Sequence, residues 1–240
     1  MKINNIDIRR PVSETLSKSG RDAHLKTHNL HQRYYLDGKQ LPGVSAILKN
    51  LGWSTNGLLN WQKTLLLKGQ DPEASLTEAA TLGTVTHQYL EDWIQQRTTD
   101  SSHVKPVHQQ FAELAVQWFA AWAVKQNFSF LATEQQVISS VHRYGGTFDV
   151  LGNHCGMKVL ADFKTSKAVY PSHLIQLAGY QIAYDEMYPD EPIEKMAVIK
   201  ISSEEAQMQV HWLDVEEWAA AREVFLYCRK LHALKKALKG

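Results

Sequence analysis

The chain reads as an α/β protein with a helical N-terminal half, and three observations predict it. Up to about residue 130 the apolar side chains recur at helical spacing. From Thr133 the period falls to two, in short runs separated by turn residues. Beyond that, Pro171 and Asp214 open two further helical stretches that alternate with strands. With 240 residues, 44% of them hydrophobic, the chain can bury a sizeable core without disulfides.

Residues 1–28 are polar and irregular, and a loosely ordered arm is predicted there. Tyr34-Tyr35-Leu36 and the turn Asp37-Gly38 predict a small hairpin leading into Leu41-Pro42-Gly43. Short helices are expected from Ser45 to Leu51 and from Leu58 to Lys68. Asp71-Pro72 starts a longer helix reaching about Gln96, and the polar run 97–105 is a loop. A periodic, aromatic-rich helix follows from Val107 to Gln126, and the Trp and Phe residues between 111 and 130 are read as core. Strands are then predicted over 134–140, 147–152 and 157–164. Pro171, harmless in a first turn, opens a helix to about Tyr188. Two more strands, 195–201 and 207–213, precede a last helix that Asp214 caps and that reaches Leu238. The halves meet near residue 130 with no Pro/Gly/Ser linker. A helical lobe (29–130) and an α/β core (131–240) are therefore expected to form one body.

A formal charge of +1 carries no information about partners, so any nucleic-acid surface must be a local patch. The two cysteines, Cys155 and Cys228, are too few for a four-cysteine metal site and are expected as reduced thiols. Residues 1–10 lack the apolar stretch of a signal peptide, and no run is long enough for a membrane span. A cytoplasmic protein with no membrane partner is expected.

The chemistry centres on Gly145-Gly146-Thr147-Phe148-Asp149 and Ala161-Asp162-Phe163-Lys164-Thr165. If residues 153–156 make a four-residue loop, Val150 faces Val159 and Phe148 faces Ala161, with Phe163 continuing that apolar, core-facing side. The other side then carries Asp149, Asp162 and Lys164, with Asp149 diagonal to Asp162 at roughly 7–8 Å. Two carboxylates at that range repel each other. A hard divalent cation removes the repulsion and can activate water for phosphoryl chemistry. The same residues would also suit a surface hairpin with a solvated aspartate and an Asp–Lys pair.

Gly146-x-x-Asp149 followed by Asp162-x-Lys164 resembles the core of the PD-(D/E)XK nuclease superfamily. His87 in Leu82-Gly83-Thr84-Val85-Thr86-His87, Glu134 on the preceding strand, and Gln176 and Tyr180 four apart on a helix are similar to the RecB-like exonuclease branch. Leu41-Pro42-Gly43-Val44-Ser45 is similar to the start of phage exonucleases and of the mitochondrial genome maintenance exonuclease, with Gly43 where those have Ser. The resemblance spans roughly residues 34–213.

It implies a restriction-endonuclease-like mixed central sheet flanked by helices, with His87 carried by the helical lobe. It also implies Mg²⁺ or Mn²⁺ held by His87, Asp149, Asp162 and the carbonyl of Phe163, and no iron–sulfur cluster. Lys164 and Gln176 would assist the attacking water and Tyr180 would contact DNA. Glu134 would be a ligand or an acid behind the ligands; as an isolated residue it reads equally as an edge-strand charge. Thr165, Ser166 and Lys167 follow the Asp-x-Lys strand and are candidates for a flanking phosphate, and Trp53 and Trp61 for stacking on bases. Glu91, one turn beyond His87, reads as a solvated acid. The basic residues of the last helix, Arg229 and Lys236 among them, read as a solvated tail or as phosphate contacts.

The function so implied is an exonuclease acting on single-stranded DNA or free DNA ends and leaving 5′-phosphates, in a bacterial or phage-infected cell. Replication or recombination proteins would be its further partners. A structure-specific endonuclease and a non-catalytic DNA-binding protein are the rivals.

Overall fold

The computed structural model describes residues 33–53 and 55–238. The predicted arm at 1–28 lies outside the described residues. The described chain opens with the hairpin β1 (Tyr34–Leu36) and β2 (Lys39–Leu41). Its turn uses Asp37 at φ 51° and Gly38 at φ 71°, the left-handed pair that a two-residue hairpin needs. The helices α1 (Val44–Leu48), α2 (Thr55–Leu67), α3 (Pro72–Ile94) and α4 (Pro106–Lys125) follow. Both α3 and α4 start on proline, and the Asp71 side chain caps α3 by accepting the Glu73 N–H at 2.9 Å.

One five-stranded sheet organises the rest, in the order β3 (Ser129–Ser139), β4 (Tyr144–His154), β5 (Met157–Lys164), β6 (Lys195–Ser202), β7 (Gln207–Trp212). Neighbours are antiparallel except β5 and β6, which are parallel. A parallel step needs a crossover, and α5 (Pro171–Met187) supplies it. The last helix, α6 (Val215–Leu238), begins where the Asp214 carboxylate accepts the Glu217 N–H. The mixed sheet with helices on both faces is the arrangement expected of a restriction-endonuclease-like fold.

The sheet is buried on both sides, which is why β5 and β6 read as nearly unbroken apolar runs. On one face Leu160, Met196 and Val198 meet α5, α6 and α1 through Leu177, Phe225 and Ile47. On the other, Val150, Val159, Ala161 and Phe163 meet α3 and α4 through Leu90 and Phe119. Phe119, Phe128 and Phe130 lie in that second core, as read from the sequence. Helices α1, α3 and α4 thus share their cores with the sheet, whereas no described residue of α2 enters either one.

Three expectations need correction. The β4–β5 connection is a two-residue turn, Cys155 (φ 55°) and Gly156 (φ 81°), and not a four-residue loop. Val150 therefore pairs with Ala161, and Gly152 with Val159. The shift is two residues, an even number, so Val150 stays on the side of Val159, Ala161 and Phe163, while Asp162 and Lys164 share the other by alternation alone. Secondly, Phe148 does not join that apolar side. It packs with Leu151 on the α5 face, 6.1 Å from the Tyr184 ring, so strict alternation breaks between residues 148 and 151. Thirdly, β3 begins at Ser129, and Glu134 lies in its middle instead of at its start.

Candidate metal centre

The break in β4 is what builds the site. The β4–β5 ladder reaches Val150↔Ala161 and ends there. One residue further, the Asp149 carboxylate enters the gap and accepts the Phe163 backbone N–H at 2.7 Å. On the other side of β4, Thr133 pairs with Val150 and Gln135 with Phe148, which sets Glu134 opposite Asp149. Glu134 has φ 50°, a left-handed conformation that is uncommon outside glycine and collects at functional sites. Helix α3 then brings His87, whose Nδ1 lies 3.5 Å from Asp149 Oδ2 and whose ring meets Phe163 edge-on. Ligand atoms of His87, Glu134 and Asp149 lie within 4.8 Å of one another.

Asp162 and Lys164 flank this trio. Asp162 is 1% exposed, and the Lys164 ammonium touches its Oδ2. That oxygen has no well-aligned hydrogen-bond donor among the described residues. Burial and the nearby Asp149 charge, partly offset by Lys164, push the Asp162 carboxyl up to about 6. Burial, reinforced by Asp149, Glu91 and Asp162, pushes Glu134 up to about 9. Burial also opposes charge on His87, but Asp149 outweighs it and holds the imidazole above its ordinary range. Asp149 is held below its ordinary range: burial works against its charge, and His87, Lys164 and the Phe163 N–H together prevail. Burial likewise opposes the Lys164 charge, and Asp162 and Asp149 more than restore it. Three carboxyl groups and two bases thus crowd a space largely shut off from water, and a bound divalent ion would relieve the cost of holding Glu134 and Asp162 as carboxylates there. The oxygen and imidazole donors suit Mn²⁺ and are compatible with Mg²⁺.

The glycines ahead of Asp149 have a physical reason. A β-carbon on Gly145 would fall 2.3 Å from Tyr34 Cγ, and one on Gly146 2.6 Å from the Tyr180 ring. Two tyrosines clasp β4 where it enters the site, and neither leaves room for a side chain. Tyr34 also shares a 3.1 Å hydrogen bond with Thr147 Oγ1, and burial, with the Glu134 charge, holds its hydroxyl above its ordinary range. On α3, a β-carbon at Gly83 would come within 3.0 Å of Thr165 Oγ1, so the His87 helix lies close to the loop after β5.

The other predicted residues are placed as follows. Gln176 Nε2 donates to the Tyr180 hydroxyl at 2.7 Å, and Tyr180 is 5% exposed, beside Asp162 and Asp149. Ser166 Oγ donates to the Ala168 carbonyl, and Lys167 points to Glu204 at 2.7 Å. Trp53, ahead of α2, is 61% exposed, and Trp61, within α2, is half-buried. Glu91 is not solvated: its side chain is 13% exposed and pairs with Arg97 at 2.7 Å. Its sequence neighbour Asp92 pairs with the same guanidinium. Sequence reasoning missed His173, on the first turn of α5. Burial and the Lys164 charge push its imidazole down to about 4, so it stays neutral beside the site. Tyr34 was read only as a hairpin residue. Neither carries a local sequence signal for a place at the site.

No family model matches the chain, and no curated protein does. Solved structures do. The chain is similar to SSO0001, at 16% identity and a TM-score of 0.28, over 60% of this chain and 84% of that one. It is also similar to LHK-Exo in complex with dAMP, at 13% identity and a TM-score of 0.33, over 67% of this chain and 92% of that one. At those values no residue role or activity transfers to this chain.

Proposed function

We propose that the chain is a metal-dependent nuclease that hydrolyses phosphodiester bonds in DNA. The observation that carries this reading is the triad His87, Glu134 and Asp149, with ligand atoms within 4.8 Å, beside the buried Asp162–Lys164 pair. A divalent ion bound there would polarise a phosphoryl oxygen and acidify a water. His87, Asp149 and Asp162, with the Phe163 carbonyl, are the ligands that the sequence motif suggests, and the proximity of Glu134 supports adding it to them. Asp149 holds the His87 ring through the proton shared between them. Lys164, kept charged by its two aspartate neighbours, neutralises charge that builds on the phosphoryl oxygens. Gln176 orients the attacking water, and Tyr180 fixes the Gln176 amide. Thr165, Ser166 and Lys167 take the flanking phosphate, and Trp53 and Trp61 stack on unpaired bases.

Within that reading the substrate is single-stranded DNA or a free DNA end, cut exonucleolytically to 5′-phosphates. The natural setting is the cytoplasm of a bacterial or phage-infected cell, with replication or recombination proteins as further partners. No helix among the described residues is long and apolar enough to cross a membrane. The deciding experiment is digestion of end-labelled linear and closed circular DNA with Mg²⁺, with Mn²⁺ and with EDTA. Cutting of the linear DNA alone, abolished by EDTA, is expected. Cutting of the circle would make the chain an endonuclease. No cutting of either form with either ion would sink the nuclease reading.

A further inference from the structure

A second charged feature lies away from the metal centre. Helix α6 presents Arg229, His232 and Lys236 at i, i+3 and i+7, on one face. That face forms a groove with Lys39 of β2 and with Arg143 in the turn before β4. Its volume is about 970 Å³, and Leu41, Pro42 and Ala233 contribute apolar lining. The walls are tied together: Gly145 N–H donates to the Pro42 carbonyl at 3.1 Å, and the Asn50 amide of the chain after α1 contacts His232 at 3.3 Å.

The cations here are poorly neutralised. Arg229 donates to the carbonyls of His142 and Arg143, at 2.7 and 3.1 Å, and to no carboxylate among the described residues. Burial, and the neighbouring Arg143 cation, hold its guanidinium below its ordinary range. Arg143 sits at φ 54°, in the left-handed region. Asp37, 4.0 Å from Arg143, is the carboxylate that pairs with this group among the described residues, and it is itself 78% exposed. Gathering like charges around one groove costs stability unless an anion joins them. Strand β4 links the two features: from Arg143, just before it, to Asp149 within it is six residues, roughly 20 Å at 3.3 Å each. That is about six steps along one strand of a duplex.

We infer that this groove holds the phosphate backbone of a nucleic-acid strand several nucleotides away from the bond being cut at the metal centre. The inference rests on the nuclease reading and adds the place where the uncut part of the substrate is gripped. The contact is made to phosphates, so it adds affinity without sequence preference.

The test uses the full chain and the variant Lys39→Ala/Arg143→Ala/Lys236→Ala. All three side chains are exposed, and the fold-holding Arg229 is left in place. Binding of a fluorescently labelled 30-nucleotide single strand is followed by anisotropy in EDTA over a salt series. Loss of three phosphate contacts should weaken binding at least tenfold at low salt. It should also make the slope of log affinity against log salt shallower by about 2, at 0.7 per phosphate. Hydrolysis of thymidine 5′-(p-nitrophenyl phosphate) with Mn²⁺, a diester too short to reach the groove, should be unchanged. Equal DNA affinity and an equal salt slope for variant and wild type would overturn the inference. So would a variant that loses DNA and phosphatidylserine vesicles alike, from a wild type that holds both equally well. If the wild type binds the strand through the groove but cuts neither substrate, the nuclease reading fails and the groove stands. A charge-reversal variant, Lys39→Glu/Lys236→Glu, gives an independent check on folding and should weaken binding further.

Discussion

The Asp149 carboxylate accepts the backbone N–H of Phe163 at 2.7 Å, filling the gap where β4 and β5 part. One side chain therefore closes the sheet and faces the candidate metal. The two roles can be separated. Asp149→Asn keeps an oxygen for the Phe163 N–H but loses the charge that pairs with His87. It is expected to melt within a few degrees of wild type and to lose Mn²⁺ binding, read by calorimetry. Asp149→Ala also orphans a buried N–H and is expected to lose a further 1–3 kcal/mol or so in urea melts. Retained Mn²⁺ affinity in Asp149→Asn would remove Asp149 from the metal site.

Lys164→Ala is expected to lower cutting by about 10²–10⁴-fold, the range for a positioned proton-transfer or charge-stabilising group. Binding of DNA should be nearly intact. Asp162 is 1% exposed, and removing its cation leaves a buried carboxylate alone. The variant should therefore be destabilised in EDTA and recover part of the loss when Mn²⁺ is added. Thermal melts with and without the ion read this directly, and equal cutting by the variant would exclude Lys164 from the mechanism.

Stability of the metal-free protein should fall as pH rises through neutrality. Glu134 is pushed up to about 9 in the folded chain, from an ordinary 4.5. A group with a raised folded pKa costs nothing below its unfolded value, where both states are protonated. The folded state then loses ground progressively as pH climbs from about 4.5 to about 9. Asp162, pushed up to about 6, adds to the loss over the lower part of that window. Melting temperatures in EDTA should thus decline across the range. Glu134→Gln should flatten the decline, and saturating Mn²⁺ should oppose it. A wild-type slope unchanged by Glu134→Gln would show that Glu134 ionises normally.

Gly145→Ala tests the tyrosine clasp. The added carbon would stand 2.3 Å from Tyr34 Cγ, so the hairpin must move or the strand must bend. Overpacking of this kind costs roughly 1–3 kcal/mol. The expected readout is an earlier urea midpoint with an unchanged slope. Tyr34→Ala in the same background should recover part of the loss, and a fully stable Gly145→Ala would mean that the clasp is loose.

Much of the architecture was readable from local rules. Prolines at residues 72 and 171 and the cap at Asp214 marked helix starts, and the switch to a two-residue period marked the sheet. The motif Asp162-x-Lys164 needs only side-chain alternation within one strand to put both groups on one face, whatever the loop length, and the even loop error left Val150 on the side of Val159 and Ala161. Glu134 was harder. Its strand was expected to begin there, and the backbone bend that sets it opposite Asp149 has no local sequence signal. Glu91 was misread because its partner Arg97 lies beyond the predicted helix end.

What the sequence alone determined about this protein is the order of its elements and the types of residue that alternate along each of them, because propensity and periodicity act over a few neighbouring residues. Tertiary structure decided how those elements meet. His87, Glu134 and Asp149 converge from α3, β3 and β4. Lys39, Arg143 and Lys236 come from segments about a hundred residues apart. Approach across such separations is set by core packing, strand register and a two-residue turn, and the balance of charge at each site is a sum over everything so gathered.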